Sequence, residues 1–236
     1  MPVYQIPEEL VFPDPELADE DGLLGIGGDL SPERLLLAYR NGIFPWYSRN
    51  NPIKWWSPDP RCVLLSERLK VKVAPPVVQA IKEGRCEVRF DTCFPEVIHN
   101  CAEVRRKGQR GTWITTEMID AYLRLHKLGY AHSTEVFLDG ELVGGLYGVS
   151  IGRTYSGESM FHLKTDMSKV ALFYLVQRLK LLDITLIDCQ VTNPHLLSLG
   201  AEEIARRTFL AHIRRNRDLP GETGKWTMVG GVPTAG

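Results

Sequence analysis

Short apolar runs alternate with helical patterns along the chain from Val63 onwards. Period-two patterns predict strands over 86–91, 132–138, 141–152 and 185–191, and the segment 152–161 continues the same sheet. Asp139-Gly140 is a hairpin turn. Helical periods and caps predict helices over 75–83 and 95–107, from Thr115 or Thr116 to Gly129, from Ser168 to about 182, from Asn193 to Gly200, and from Thr208. The order strand, strand, strand, helix, strand, helix indicates a layered α/β or α+β domain.

The N-terminal part does not show this alternation of strand and helix patterns. Residues 1–21 are acidic and are expected to form an extended arm. The glycines of GLLGIGGDL are interpreted as turns and close backbone contacts, since no preceding strand and no following Lys-Ser/Thr supports a phosphate loop. Ser31 and Pro32 are the usual cap and first residue of a helix, which is predicted to end near Gly42. We expect an α+β chain with a small N-terminal α/β domain over 1–62 and a second domain over 63–236.

Aromatic side chains are concentrated between these two parts. Trp46, Tyr47, Trp55 and Trp56 lie among several prolines, and this composition predicts a loop region without a regular element. The aromatic rings can form core or a stacking platform for a nucleic-acid base. Composition alone favours the core.

The composition is that of an ordinary globular protein. The 236 residues are 44% hydrophobic and 24% charged, with a net charge of -1. No apolar run approaches the ~20 residues of a membrane helix. The acidic N-terminus lacks the basic and apolar regions of a signal peptide, so we expect a cytoplasmic protein with no membrane partner.

The cysteines and the basic residues bear on metal binding and on nucleic-acid binding. Five cysteines without a CxxC motif predict reduced thiols, and the spacing of Cys93, His99 and Cys101 matches no zinc pattern, so no metal is expected. Local basic patches can bind nucleic acid even at this net charge, or they can be solvated helix faces. Two such clusters occur: Arg105, Arg106, Lys107 and Arg110, and then Arg206, Arg207, Arg214, Arg215 and Arg217.

Three polar residues lie inside otherwise apolar strands. Glu158 lies in YSGESMF, and Asp188 and Gln190 lie two apart in LIDCQV, which on a strand puts both on one face and turns Cys189 to the other. A buried carboxylate is costly unless it is hydrogen-bonded or reactive. A glutamine carbonyl can accept a hydrogen bond from an amine, and a nearby carboxylate can assist it, which suits attack of an amine on an activated acyl group. A polar network that only bridges two strands remains open.

Longer strings carry a resemblance to a known family. Eight of them occur in the same order in leucyl/phenylalanyl-tRNA–protein transferases: GLLGIGGDLSPERLLLAYRNGIFPWYS, PIKWWSPDPR, GTWIT, HSTEVF, ELVGGLYGV, GESMF, LIDCQV and SLGAEEIARR. The chain resembles this family over about residues 20–215. The resemblance implies transfer of Leu or Phe, and in some members Met, from aminoacyl-tRNA to proteins that begin with Lys or Arg. The product carries an N-degron for proteolysis.

The resemblance also implies a fold and a site. The second domain would be acetyltransferase-like (GNAT-like), with a mixed sheet flanked by helices. Asp188 and Gln190 would handle the proton, and Glu158 would be a charge that holds the network or the basic acceptor side chain. Leu146, Met160, Leu172 and Ile187 would line the slot for the aminoacyl side chain. Trp46 and Trp113 would be platforms for the terminal adenosine. No cofactor is implied, since the aminoacyl ester is already activated.

Three other functions remain open on the sequence. An acyl-CoA-dependent N-acetyltransferase would share the element order, although HLKTDMSK before the long helix lacks the glycines of a pyrophosphate loop. A sister enzyme would transfer Leu to acidic N-termini. A non-catalytic RNA-binding module would leave Glu158, Asp188 and Gln190 as an unexplained cost.

Overall fold

The computed structural model describes residues 3–104 and 113–227. Its helices are α1 (Pro32–Arg40), α2 (Pro75–Lys82), α3 (Phe94–Glu103), α4 (Thr116–Lys127), α5 (Met167–Leu181), α6 (Pro194–Ser198) and α7 (Arg206–Asn216). Its strands are β1 (Tyr4–Ile6), β2 (Leu23–Gly27), β3 (Phe44–Pro45), β4 (Lys54–Trp56), β5 (Arg61–Leu65), β6 (Cys86–Phe90), β7 (Ala131–Leu138), β8 (Glu141–Ile151), β9 (Thr154–His162), β10 (Leu186–Gln190) and β11 (Glu202–Ile204). The prediction of an α+β chain with a mixed sheet flanked by helices is confirmed.

The N-terminal residues form a four-stranded sheet with the order β1-β2-β4-β3. Two expectations are corrected here. The extended arm contributes β1, which pairs in parallel with β2, and the aromatic region contributes β3 and β4. The interpretation of the glycines as close contacts is confirmed, because a Cβ on Gly25 would lie 2.5 Å from the Ile6 side chain. These strands are defined by main-chain pairing over a few residues, and the sequence pattern does not reveal such short pairings.

The second sheet has seven strands in the order β11-β5-β10-β9-β8-β7-β6. β9 and β10 are parallel and are connected by α5, whereas the other neighbouring pairs are antiparallel. The predicted hairpin of β7 and β8 is confirmed. Asp139 and Gly140 both have positive φ, 53° and 84°, as the two-residue turn requires.

Helix ends follow their caps, with three corrections. α3 ends at Glu103 rather than at residue 107, because the backbone of Val104 is extended. Ser31 and Thr115 accept hydrogen bonds from the backbone N–H groups of Arg34 and Met118, as N-caps do. Ser168 is not the cap of α5, because that helix begins one residue earlier after Asp166, whose φ is 67°. α7 likewise begins at Arg206 rather than Thr208, and it has no side-chain cap that the sequence could signal.

Buried side chains connect the two sheets. One cluster includes Leu35 and Trp55 from the N-terminal part, and Val97 and Tyr122 from α3 and α4. A second cluster fills the space between α5 and the seven-stranded sheet. The boundary at residue 62 falls inside β5 and stays a prediction. Within residues 3–104 and 113–227, no helix is both long enough and apolar enough to span a bilayer.

Candidate active site

A cavity of about 330 Å³ opens where β9 and β10 separate. The parallel pairing of these strands covers only Tyr155 with Ile187 and Ser156 with Asp188. Beyond these pairs the strands diverge, and Glu158 and Gln190 line the gap. A gap between adjacent strands exposes their polar groups to a ligand while the sheet around them stays rigid.

Both strands carry a bulge at this point. In the pairing of β9 with β8, Ser159 lies opposite Tyr147 and Gly157 opposite Gly148, so Glu158 is the extra residue. In the pairing of β10 with β5, Asp188 lies opposite Val63 and Gln190 opposite Cys62, which makes Cys189 the extra residue. Bulges commonly redirect side chains beside active sites. Gln190 also has a φ of 64°, an uncommon conformation for a residue other than glycine.

The second bulge overturns two expectations from simple alternation. Asp188 and Gln190 lie opposite consecutive residues of β5, so they do not share the predicted face. Gln190 lines the cavity, and Asp188 does not. Cys189 was predicted to lie on the opposite face from Gln190, but it lines the same cavity, where it is half-buried and packs against the second buried cluster.

Glu158 is the centre of a buried hydrogen-bond network. Its Oε1 accepts from the Gln190 amide Nε2 at 2.7 Å and forms a hydrogen bond with the Tyr39 hydroxyl at 2.7 Å, and its Oε2 forms one with the Tyr122 hydroxyl at 3.0 Å. Burial raises the pKa of Glu158 to about 7, although these hydrogen bonds lower it. Burial also raises the pKa of both tyrosines far above the ordinary value, so they stay protonated.

Asp188 forms a buried ion pair with Arg61. Both carboxylate oxygens accept from the guanidinium at 2.7 Å, and Oδ1 also accepts from the backbone N–H of Gln190 at 3.0 Å. The Arg61 guanidinium lies over the rings of Phe44 and Phe209, at 4.9 and 4.4 Å from their centroids. Such a bidentate pair fixes both side chains, so Asp188 holds the backbone of Gln190.

The remaining cavity lining is mostly apolar. Leu146, Met160, Leu172 and Ile187, which the resemblance named, all line it together with Leu64 and Leu175. Trp46 and Trp113 lie at the same cavity, and Trp46 is 37% exposed. Trp55, by contrast, is fully buried. The aromatic region therefore divides between core and cavity.

The structure thus brings together eight of the nine predicted site residues at one cavity and sets Asp188 beside it. Sequence reasoning missed Tyr39, Tyr122 and Arg61. Each tyrosine occupies an apolar position of its helix, where a hydroxyl facing inward gives no periodic signal. Arg61 begins a strand after a proline-rich loop, and its pairing with a residue far along the chain has no local signature.

Of the two basic clusters, only the second lies in the described residues, and some of its members are held by contacts within the protein. Arg105, Arg106, Lys107 and Arg110 lie outside the described residues. In the second cluster, Arg206 is buried and donates to the Ser57 carbonyl, and Arg217 donates to the Arg40 carbonyl, both at 2.6 Å. The exposed members are Arg207, Arg214 and Arg215. Within the described residues, no group of three or more His, Cys, Asp or Glu side chains is suited to hold a metal ion.

Comparisons with known proteins bear on this site. The family model for leucyl/phenylalanyl-tRNA protein transferase matches residues 63–214, and the model for the N-terminal domain of the same family matches 28–59. A leucyl/phenylalanyl-tRNA–protein transferase of Anaeromyxobacter sp. (strain Fw109-5) is 52% identical over 236 residues, 100% of both chains. One of Syntrophobacter fumaroxidans is 56% identical over 216 residues, 92% of both chains.

Solved structures give more distant matches. A GCN5-related N-acetyltransferase from Kribbella flavida superposes with a TM-score of 0.39 at 11% identity, covering 72% of this chain and 59% of that one. The L-PGS structure from Bacillus licheniformis gives a TM-score of 0.37 at 13% identity, covering 72% and 53%.

The full-length relatives and the family models place this chain among the aminoacyltransferases, a class of enzymes. Its apolar cavity beside an oriented amide is consistent with that class. The chain belongs to the leucyl/phenylalanyl-tRNA–protein transferase family.

Proposed function

We propose that this enzyme transfers Leu or Phe, with Met as a further donor residue, from aminoacyl-tRNA to the α-amino group of proteins that begin with Lys or Arg. The product would carry an N-degron for proteolysis in the cytoplasm. The observation that supports this most is the position of Gln190. Its amide Nε2 donates to Glu158, which leaves its carbonyl oxygen as the atom that can accept from a substrate amine beside the apolar cavity.

The apolar lining supports the choice of donor. Leu146, Met160, Leu172 and Ile187 offer no hydrogen-bonding side chain, so an apolar aminoacyl group would bind there by burial. A slot of this size suits a side chain that is unbranched at Cβ, and we expect Ile and Val to be rejected by their shape. The rings of Trp46 and Trp113 would stack with the terminal adenosine.

The reaction needs no activating cofactor. The neutral α-amine attacks the ester carbonyl, a C–N bond forms, the C–O bond to the ribose breaks, and the proton lost by the amine matches the one gained by the ribose oxygen. Gln190 would orient the amine through its carbonyl oxygen. Asp188 would act through Gln190, because its carboxylate holds the Gln190 backbone N–H. Holding amine and ester together can supply much of the rate.

Affinity for the tRNA would come from phosphate contacts of exposed basic residues. Such contacts read no sequence and weaken with salt. We therefore expect weak discrimination among tRNA bodies and strong discrimination at the amino acid. Assays with one amino acid on different tRNA bodies test this, and large rate differences among the bodies would count against it.

The test of the function is a matrix of donors and acceptors. Labelled Leu, Phe, Met and Ile on tRNA would be offered to peptides that differ only in an N-terminal Lys, Arg, Asp or Ala. We expect label from Leu, Phe and Met on the Lys and Arg peptides alone. Label on the Asp peptide would favour the sister enzyme for acidic N-termini, and no label on any peptide would overturn the proposal.

The alternative of an acyl-CoA-dependent N-acetyltransferase has less support. Asp166 precedes α5 and lies beside Lys169, with Oδ1 at 2.8 Å from Nζ, and its other oxygen accepts from the backbone N–H of Ala74. Asp166 offsets the charge of Lys169 in this pair, and the segment HLKTDMSK lacks the glycines of a pyrophosphate loop. A rise in melting temperature on adding CoA would argue for the alternative.

A further inference from the structure

The oxygen-bearing side chains of Glu158, Tyr39 and Tyr122 form a closed triangle of hydrogen bonds. The hydroxyls of Tyr39 and Tyr122 each contact one oxygen of the carboxyl group, and they also contact each other in a hydrogen bond. Tyr39 comes from α1 and Tyr122 from α4, so the triangle joins two helices to β9. All three side chains are buried.

The number of protons in this triangle is constrained. Three oxygen–oxygen contacts need three protons, and two tyrosine hydroxyls supply two. If Glu158 were ionised, both hydroxyls would donate to it. The contact between Tyr39 and Tyr122 would then hold no proton, and two lone pairs would face each other. Donors elsewhere cannot fill that contact, because its proton must belong to one of the two tyrosines.

A proton on the carboxyl group satisfies every contact. Glu158 Oε2–H then donates to Tyr122, Tyr122 donates to Tyr39, and Tyr39 donates to Oε1. Oε1 is the carbonyl oxygen in this arrangement, and it also accepts from Gln190 Nε2. The opposite direction round the triangle would also need a proton on Glu158, but Gln190 would then donate to a hydroxyl, which is a weaker acceptor.

We propose that Glu158 works as a neutral carboxylic acid, closed into a hydrogen-bonded ring by Tyr39 and Tyr122, and that these two tyrosines are positioning residues for Gln190. The inference rests on the proposed function only for its kinetic test. It replaces the expectation that Glu158 acts as a charge, either for the network or for a basic acceptor side chain.

The surroundings of Glu158 favour the neutral form. The titratable groups that face it are Tyr39 from α1, Tyr122 from α4, Tyr155 from its own strand and Asp188 from β10. Asp188 disfavours a second negative charge nearby, and its own partner is Arg61. Burial raises the pKa of Glu158 to about 7, so the carboxyl group is largely protonated below that pH.

The ring orients the side-chain amide of Gln190 for the reaction. A glutamine amide can be flipped end for end, and only one orientation presents the carbonyl oxygen to an attacking amine. The carbonyl oxygen of Glu158 accepts from Nε2, which selects that orientation. The ring transfers no proton in this account, because the amine and the ribose oxygen balance the reaction between them.

The variant Glu158→Gln provides the kinetic test. Its amide can reproduce the ring, with the oxygen accepting from Tyr39 and Gln190 and the nitrogen donating to Tyr122. We expect Glu158→Gln to lower kcat by less than about tenfold, the equivalent of one hydrogen bond, and Glu158→Ala to lower it considerably more. A general base at this position would instead lose ~10²–10⁴-fold in Glu158→Gln.

The pH dependence separates the two accounts further. The ratio of wild-type to Glu158→Gln kcat is expected to fall as the pH rises through about 7, because ionisation breaks the wild-type ring and cannot break that of the variant. A ratio that rises over the same range would show that the carboxylate is the active form and would overturn the proposal. Titration of the acceptor amine is common to both enzymes and cancels in the ratio.

A structural readout remains if no transfer is found. The infrared difference spectrum between wild type and Glu158→Gln below pH 7 should contain the carbonyl stretch of a protonated carboxyl group. Tyr122→Phe should shift that stretch, and Tyr155→Phe, the matched change of a buried tyrosine of β9 that does not hydrogen-bond Glu158, should not. A carboxylate stretch in its place would overturn the proposal, whatever the outcome of the transfer assay.

Discussion

Leu146 is the side chain whose size we expect to set the room for the donor residue. It lies on β8, is 4% exposed and lines the cavity. Leu146→Ala should reduce Leu transfer more than Phe transfer and raise the Phe-to-Leu ratio of kcat/KM by about tenfold, since one methylene in such a pocket is worth ~1–3 kcal/mol. Competition between the two charged tRNAs measures the ratio.

The control for this change lies on the same strand. Val149 is equally buried but does not line the cavity, so Val149→Ala should destabilise the fold without altering the ratio. An unchanged ratio in Leu146→Ala would exclude this position from the donor slot.

The buried ion pair of Arg61 with Asp188 gives a second prediction at the residue scale, for the stability of the fold. Arg61→Met would leave Asp188 as a buried unpaired charge, and we expect a loss of about 3–5 kcal/mol in the free energy of unfolding by urea. Adding Asp188→Leu should restore part of that loss. Arg68→Met, in the exposed pair of Arg68 with Glu202, should cost no more than about 1 kcal/mol. Equal losses for Arg61 and Arg68 would contradict the buried pairing.

At the level of elements, the sequence predicted what local rules govern. The hairpin of β7 and β8 followed from alternation and its Asp-Gly turn, and α1 followed from Ser31 and Pro32. The bulges at Glu158 and Cys189 could not be predicted, because a bulge depends on which strand lies alongside. β3 and β4 were missed for the same reason, since short strands are defined by their partners.

The N-cap of α4 offers an element-level prediction. This helix carries Tyr122, and the sequence left Thr115 and Thr116 as alternative caps. Thr115 Oγ1 accepts from the Met118 N–H at 3.3 Å, whereas Thr116 is already helical and exposed. Thr115→Ala should cost about 1 kcal/mol in the free energy of unfolding. Thr116→Ala, the matched change one residue later, should cost far less, and the reverse order would contradict the cap.

For the whole molecule, two buried glutamates make stability depend on pH. Burial raises the pKa of Glu158 and Glu135 from 4.5 to about 7 in each case. The folded state then holds protons that the unfolded state releases, so this contribution is complete below about pH 4.5 and is lost as the pH rises to about 7.

The difference in unfolding free energy between wild type and Glu158→Gln should therefore decrease by up to about 3 kcal/mol across this range. Urea titrations at several pH values measure it. Glu141→Gln, a change at an exposed glutamate of β8, should give a difference that stays nearly constant. A difference for Glu158→Gln that grows with pH would have the wrong sign for a buried, neutral carboxyl group.

The assignment of the chain to a family depended most on the long strings shared with that family, because composition and charge left several functional classes open. Those strings named the residues of the cavity. They could not show that Asp188 lies beside the cavity and holds the backbone of Gln190, and they did not identify the tyrosines around Glu158. Both features arise from contacts between β9, β10 and two helices that lie far apart in the sequence.

The most direct test of the account is single-turnover transfer of Leu from charged tRNA to a peptide with N-terminal Lys, by wild type and by Gln190→Ala. Loss of the amide oxygen that we propose orients the amine should slow the chemical step by ~10²-fold or more while tRNA binding stays near the wild-type level. Transfer by Gln190→Ala at the wild-type rate would contradict the central role given to Gln190.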